Sequence, residues 1–426
     1  MDKPVFSEVR KDQFQLQKGN RMSTSLLYHG FGLRQVKYIK TTYSEGKVLF
    51  YMSPKPKTVR CPTCHSREVR LRGQKVRVFR HLPIGKKRVE IVFIFPRVEC
   101  RECGDLRQIA IPFADPHKRF TRPLERYVRE LCRHMSLLEV AEHLEMSWDT
   151  VKEIEKRYLL QHFARPKLKK LRRIAIDEIA VRKGHHYLTV VLDLESGAVV
   201  FVGQGKGEDA LKPFWRRLRG SGAKIEAVAL DMSPAYEAAV RKNLPQAVMV
   251  YDRFHVVKLF NHNLSQLRRE LYSQMKDKTA QNMLKGIRWL LLKNPENLKE
   301  DKGEKDRLEK ALAINQPLAT AYYLKESLRE QFWNCRNYAE AEQFLDGWLA
   351  EAKACNIRLI VGMALTLERH RQGLLNYYRY PITTGPLEGT NNKIKTLKRQ
   401  AYGYRDPEFF QLKIMALHTC KYSLTG

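Results

Sequence analysis

Three acidic residues, far apart in the chain, have the types and settings of ligands for hard cations. Asp177 stands inside a β-branched strand pattern, RIAIDEIA. Asp231 closes a second, IEAVALD, just before a helix-starting turn, Met-Ser-Pro, and Glu388 lies in TTGPLEGTNNKIK at the head of a basic helix. If the two strands are neighbours in a mixed sheet, their carboxylates meet at one edge, to which the chain can return Glu388. Clustered carboxylates repel one another unless cations neutralise them, and hard oxygen ligands suit Mg2+ or Mn2+. Two such ions, roughly 3.5 to 4 Å apart, activate an attacking hydroxyl and stabilise the leaving oxygen of an in-line displacement at phosphorus. Only the joint order of the acids is informative, because an Asp closing a strand is more often a turn former or a cap. Glu178, Asp193 and Glu195 are rival acids on the same strands. Adjacent strand residues face opposite sides, so Asp177 and Glu178 cannot both enter one site, and Asp177 is preferred. Asp252 and His255, in YDRFHVVK after the last strand, are expected to support the site by orienting a ligand or holding a phosphate. His255 equally fits a satisfied histidine at a helix start.

A second constellation is the pair of motifs C-P-T-C (Cys61 and Cys64) and C-R-E-C (Cys100 and Cys103). Two thiolates on each of two tight turns build a tetrahedral zinc site, and four thiolates leave no open position for catalysis. The 35 residues between the pairs exceed the usual spacing. Strand-like runs inside that interval, KVRVF and RVEIVFIF, predict a hairpin that brings the turns together. His65 is a competing ligand, strained by its adjacency to Cys64. The remaining cysteines, Cys132, Cys335, Cys355 and Cys420, are scattered, which argues against a disulfide framework.

The elements that must position these groups are legible as changes of period. Residues 1–58 show little pattern beyond a short strand or two. Residues 59–115 form a small β-rich module. From Pro123 the spacing turns helical over three short amphipathic segments, with caps at Ser136 and Ser147. Within AEHLEMSWDTV, Ala141 is small where two helices must approach and Val151 anchors the second. Glu145 occupies the turn where a positive φ usually calls for Gly. Ser147, Trp148, Thr150 and Lys152 would then sit at the head of a helix facing a major groove, with Asp149 beside them. After a basic linker, residues 172–256 read strand, strand, strand, helix, strand, helix, strand. Residues 257–378 read as almost wholly helical, with Trp289, Leu290, Leu308, Leu312, Phe332, Trp333, Phe344 and Trp348 as the apolar set. Residues 379–426 return with a Gly- and Asn-rich turn, a basic helix and a final helical run to Cys420.

Composition narrows the partners. The 426 residues carry 78 Lys+Arg against 46 Asp+Glu, a formal net charge of +32. Such a surface repels itself unless a polyanion lies on it, and nucleic acid is the commonest polyanion proteins meet. The N-terminal MDKPVFSEVRKDQFQLQ lacks the apolar core of a signal peptide and no later run suits a membrane span, so a cytoplasmic, nucleoid-associated protein is expected.

The order of the cysteine pairs, the helical triplet, AIDEIA, LDMSPAY, YDRFHVVK and finally GPLEGTNNKIKTLKRQAYGYRD resembles transposases of bacterial insertion sequences, specifically the ISL-three family. The resemblance runs from about Val59 to the C-terminus and is most specific in its closing segment. It implies a multidomain α+β chain: an N-terminal zinc ribbon, a three-helix helix-turn-helix at 120–163, and an RNase H-like mixed α/β core interrupted by an all-α insertion. It carries the catalytic DDE triad onto Asp177, Asp231 and Glu388, holding two Mg2+ or Mn2+ ions beside one structural Zn2+. The expected partners are double-stranded DNA, both terminal inverted repeats and target, and further copies of the chain in a homodimer or larger assembly, with no membrane. Asn391, Lys393, Lys395, Lys398 and Arg399 are expected to contact DNA near Glu388. Two rival functions remain: a non-catalytic DNA-binding regulator derived from a transposase, and a metal-dependent nuclease without strand transfer.

Overall fold

The computed structural model describes residues 24–182 and 184–418; the N-terminal charged run and Cys420 lie outside the described residues. The chain divides into two compact units at Arg157/Tyr158.

The first unit opens with α1 (Thr24–His29), followed by β1 (Val36–Ser44), β2 (Lys47–Pro54), β3 (Val69–Ile84), β4 (Lys87–Cys100) and β5 (Leu106–Gln108). These strands make one sheet in the order β1-β2-β4-β3, with β5 on β4. Period-two burial explains β4: Val89, Ile91, Phe93 and Phe95 all point into the core, where the Phe93 and Phe113 rings meet edge-on at 5.0 Å. β3 and β4 form the expected hairpin, in a register that sets Val69 opposite Cys100. A boundary near residue 58 cuts this sheet, because β2 pairs in parallel with β4 across the first cysteine turn. Such long-range pairing has no local sequence period.

Three helices follow: α2 (Arg122–Leu131), α3 (Leu137–His143) and α4 (Trp148–Phe163). Ser136 and Glu139 form a reciprocal capping box at the start of α3. Val140, Ala141, Leu144, Val151 and Ile154 close a small core against Leu124 and Val128. Cys132 is buried in that core, so its thiol is packing. Glu145 does adopt φ +48° between α3 and α4. The strained turn is gripped from β3: Arg80 donates to the carbonyls of Leu144 and of Glu145, the latter at 2.9 Å.

The second unit is built on β6 (Arg173–Arg182), β7 (His186–Asp193) and β8 (Val199–Gln204), then α5 (Glu208–Arg219), β9 (Ala227–Leu230), α6 (Pro234–Asn243) and β10 (Val248–Tyr251). The sheet order is β10-β9-β6-β7-β8, antiparallel from β6 through β8 and parallel from β6 through β10. β6 is central, and Ile174, Ala175 and Ile176 are all buried, as a strand covered on both faces requires.

After β10 every regular element among the described residues is helical: α7 (Arg253–Gln274), α8 (Lys278–Gly286), α9 (Glu304–Ala313), α10 (Gln316–Glu330), α11 (Tyr338–Ala354), α12 (Arg358–Arg369), α13 (Arg371–Leu375), α14 (Gly385–Gln400) and α15 (Pro407–Met415), with short 3-10 turns between them. Phe260, Leu264 and Leu267 on α7 bury one face, and Trp348 from α11 donates its indole N–H to the Leu324 carbonyl at 3.0 Å. Trp289 departs from the expected apolar set: it is 65% exposed, with the Arg288 guanidinium over its ring. No helix among the described residues is long and apolar enough to cross a membrane.

Candidate active site

The parallel pairing of β6 with β9 sets Ala175 opposite Ala229. Asp177, two residues on in the middle of β6, and Asp231, just past the end of β9, therefore stand at the same level of adjacent strands. Each carboxylate is held locally. Asp177 Oδ1 accepts the Glu178 N–H at 2.7 Å, and Asp231 Oδ1 accepts the Ser233 N–H at 3.2 Å in the turn before α6. Burial pushes both acids above the usual carboxylate range, and the Asp231 charge adds to the rise at Asp177. The charge of His255 opposes the rise at both.

Glu388 lies in the first turn of α14, half-buried. Three residues later on that helix, Asn391 donates its Nδ2–H to Asp177 Oδ2 at 2.8 Å. Positions three apart share a helix face, so this bond turns the Glu388 face of α14 toward β6. The head of α14 is held separately: buried Asp252 accepts the Thr384 N–H through Oδ1 at 3.2 Å and caps α7 by accepting the Phe254 N–H through Oδ2 at 3.1 Å. His255 Nδ1 stands 3.7 Å from Asp252 Oδ2 and has no hydrogen-bond partner.

The rival acids have other duties. Glu178 accepts from the Tyr236 hydroxyl at 3.3 Å, on a different neighbour from Asp177. Asp193 is 4% exposed and is consumed by its own turn, accepting from the N–H groups of Glu195 and Ser196.

Among the described residues the four cysteines, and not the three carboxylates, form a cluster at metal-ligand spacing. The donor set, three carboxylates with two raised by burial, fits hard divalent cations, and the buried Asn391 Oδ1, which lacks a partner, offers a further oxygen.

The second site is complete. The sulfurs of Cys61, Cys64, Cys100 and Cys103 all lie within 4.8 Å of one another, with Cys61 to Cys103 at 3.6 Å and Cys64 to Cys100 at 3.4 Å. A tetrahedron with Zn–S bonds of about 2.3 Å has S–S edges of about 3.8 Å, close to these separations. Without a metal the four thiols share protons unequally: the Cys64 N–H draws the Cys61 thiol down to about 6, while Cys64 is pushed up to about 12 and Cys103 is also raised, with hydrogen bonds to the other thiols contributing. His65 is exposed, at φ +62°, beside four sulfurs that need no fifth ligand.

Family profiles match the whole of this arrangement. A transposase profile covers residues 174–414, a helix-turn-helix domain of transposase family ISL3 covers 109–159, and a zinc finger of transposases IS204/IS1001/IS1096/IS1165 covers 57–103. The chain belongs to the ISL3 family of transposases. The transposase for insertion sequence element IS1001 of Bordetella parapertussis is 34% identical to it over 91% of this chain and 95% of its own length. That for IS1557 of Mycobacterium tuberculosis (strain ATCC 25618 / H37Rv) is 31% identical, over 79% and 80%. Among solved structures, the Drosophila P element transposase strand transfer complex aligns at 12% identity over 70% of this chain and 92% of that one, with a TM-score of 0.38, too distant to carry an argument. The chain is thus a DNA-cleaving and DNA-transferring enzyme with a structural zinc site.

Residues expected at the DNA surface of this transposase fall into two groups. Ser147 caps α4, accepting the Thr150 N–H at 3.3 Å, and its hydroxyl also bonds that of Thr150. Trp148 is exposed beneath the Lys152 ammonium, 5.2 Å from the ring centroid. Lys393, Lys395 and Arg399 are exposed along α14, whereas Lys398 donates to the Val181 carbonyl on β6. Asn391 is only 6% exposed and belongs with the acids, not with this surface. The sequence signal that would have found it is its spacing of three from Glu388.

Proposed function

We propose that this transposase binds the terminal inverted repeats of its element, hydrolyses the phosphodiester at the element end and transfers the freed 3′-hydroxyl to target DNA. Asp177, Asp231 and Glu388 form the catalytic triad of an RNase H-like core, interrupted by a helical insertion over 257–378. The reading rests above all on the Asn391 to Asp177 hydrogen bond, which ties the helix of Glu388 to the strand of Asp177 across 214 positions of sequence.

The three carboxylates would hold two Mg2+ or Mn2+ ions, which supply Lewis acidity and an activated attacking oxygen. Asn391 fixes the rotamer of Asp177, and Asp252 holds the first turn of α14 so that Glu388 stays at the site. His255 offsets the negative charge of both aspartates. Exposed Lys393, Lys395 and Arg399 bind the DNA backbone, with an affinity that falls steeply with salt. The helix-turn-helix places Trp148 and Lys152 at the major groove. Two ends must be handled together, so the working form is a dimer or larger assembly on DNA.

Incubating the pure protein with Mg2+ and a duplex ending in the inverted repeat tests the reading. Cleavage followed by a joined product is expected, and Asp231→Asn should abolish both steps while leaving DNA binding intact. Cleavage without joining would make it a nuclease, and binding without cleavage a regulator.

A further inference from the structure

Tyr402 is the most exposed large hydrophobic side chain among the described residues, at 102% of its reference area. Its backbone is equally unusual, with φ +51°. L side chains other than Asn and Asp rarely enter this left-handed region, and for a bulky ring it is an outlier.

The conformation has a definite origin. α14 ends in a two-bond C-terminal motif: the Gly403 N–H reaches the Lys398 carbonyl at 2.9 Å and the Tyr402 N–H reaches that of Arg399 at 3.0 Å. The residue that turns left-handed in this motif is ordinarily Gly. Here Gly403 stands one place later, at φ +99°, and Tyr402 takes the strained position itself. Beyond the turn the chain is pinned again, because Tyr404 stacks on Phe410 at 4.6 Å and 21°, and Asp406 caps α15 by accepting the Phe409 N–H at 3.0 Å. Tyr402 is therefore a wholly uncovered ring on a backbone turn that is held on both sides.

Its surroundings select the occupant. Arg399 and Arg405, before and after it in the chain, are exposed, Lys398 donates to the Val181 carbonyl, and Arg182, the residue after Val181, is exposed at the end of β6. An exposed aromatic face on a segment that also carries exposed arginines suits a base whose phosphates lie on the cations. A paired base inside a duplex has both faces covered by its neighbours, so away from duplex ends only an unpaired one can use the ring.

We propose that Tyr402 is a stacking platform for an unpaired nucleobase of DNA, held at the C-terminal end of the helix that carries Glu388. The proposal rests on the reading of this chain as a DNA-binding transposase, but not on its catalytic triad.

The test compares two probes on the full chain without added divalent cation: a blunt 20-base-pair duplex, and the same duplex with a five-nucleotide overhang of thymidines containing one 2-aminopurine. The native chain should prefer the overhang and quench the 2-aminopurine. Tyr402→Ala and Tyr402→Gly should weaken overhang binding by about fivefold or more, restore fluorescence and leave blunt-duplex affinity unchanged, whereas Tyr402→Trp should keep the preference. The glycine variant relieves the left-handed strain, so its melting temperature should not fall, which separates stacking from folding. An overhang preference that survives Tyr402→Ala, or an equal loss on both probes, overturns the stacking role alone. Failure of the native chain to bind either probe overturns the DNA-binding reading along with it.

Discussion

One carboxylate of Asp252 caps the helix that leaves the sheet, through the Phe254 N–H, and holds the helix that returns to it, through the Thr384 N–H, 132 positions later. Asp252→Ala leaves the buried Thr384 N–H without its acceptor and removes the cap on the part-buried Phe254 N–H, a cost on the order of 2 to 4 kcal/mol. Asn keeps one acceptor oxygen and should fall between. The expected ranking Asp, Asn, Ala should appear both in thermal denaturation and in single-turnover cleavage. An alanine variant as stable and active as the native chain would show that Glu388 needs no such anchor.

Asn391 orients Asp177 without carrying charge. Asn391→Ala should lower cleavage or metal affinity by about 10- to 100-fold, as expected for partners that orient a ligand. Asn391→Asp should be worse, since it sets an anion against the buried Asp177 carboxylate. Mn2+ binding followed by electron paramagnetic resonance reads this independently of turnover, and unchanged binding in both variants would remove Asn391 from the site.

The raised acids make a pH prediction of definite sign. Asp177 and Asp231 hold their protons more tightly in the fold than in the unfolded chain. Their favourable contribution is therefore present when protonated and lost as pH rises through the folded values, so at neutral pH the ionised pair opposes folding. Mg2+ should raise the melting temperature clearly at about pH 8 and much less below about pH 5. Asp177→Asn should melt higher than the native chain in cation-free buffer and respond less to Mg2+. A native melting curve indifferent to both pH and Mg2+ would contradict this.

His81 has the opposite sign. It is buried beneath α2, its Nδ1 is 2.8 Å from the Thr121 hydroxyl, and burial holds its pKa down to about 4. Its contribution is intact above the ordinary value of 6.5 and lost as pH falls toward about 4, amounting to about 3 kcal/mol. Acid melts of His81→Gln against the native chain should therefore diverge between those limits, and parallel curves would count against it.

Zinc removal should unfold the first unit before the second. Cys100→Ser deletes the sulfur at the last residue of β4, only 2% exposed. Its chain should purify with less than one equivalent of zinc and lose the near-ultraviolet signal of the Phe93 and Phe113 cluster. Full retention of that signal would show that the metal is dispensable there.

Much of this was readable from residue order. The strand series, the caps at Ser136 and Ser147 and the left-handed Glu145 follow local rules, and the hairpin joining the cysteine pairs follows from β-branched runs between them. What escaped was set by contacts remote in sequence. Asn391 reads as a DNA contact because it sits in a basic helix, and only its bond to Asp177, 214 positions away, shows that it faces inward. β1 and β2 gave little signal because β2 finds its partner, β4, beyond the first cysteine turn. Asp193 resembled a ligand until its own turn claimed the carboxylate.

β10 is the outer strand of its sheet, and Asn376, just after α13, donates its amide to the Met249 carbonyl there at 2.9 Å. Unshielded strand borders recruit one another between molecules. A trimmed enzyme lacking the long helical stretch would thus be expected to clump before its chemistry could be assayed, and minimising this scaffold requires a substitute bumper along that flank.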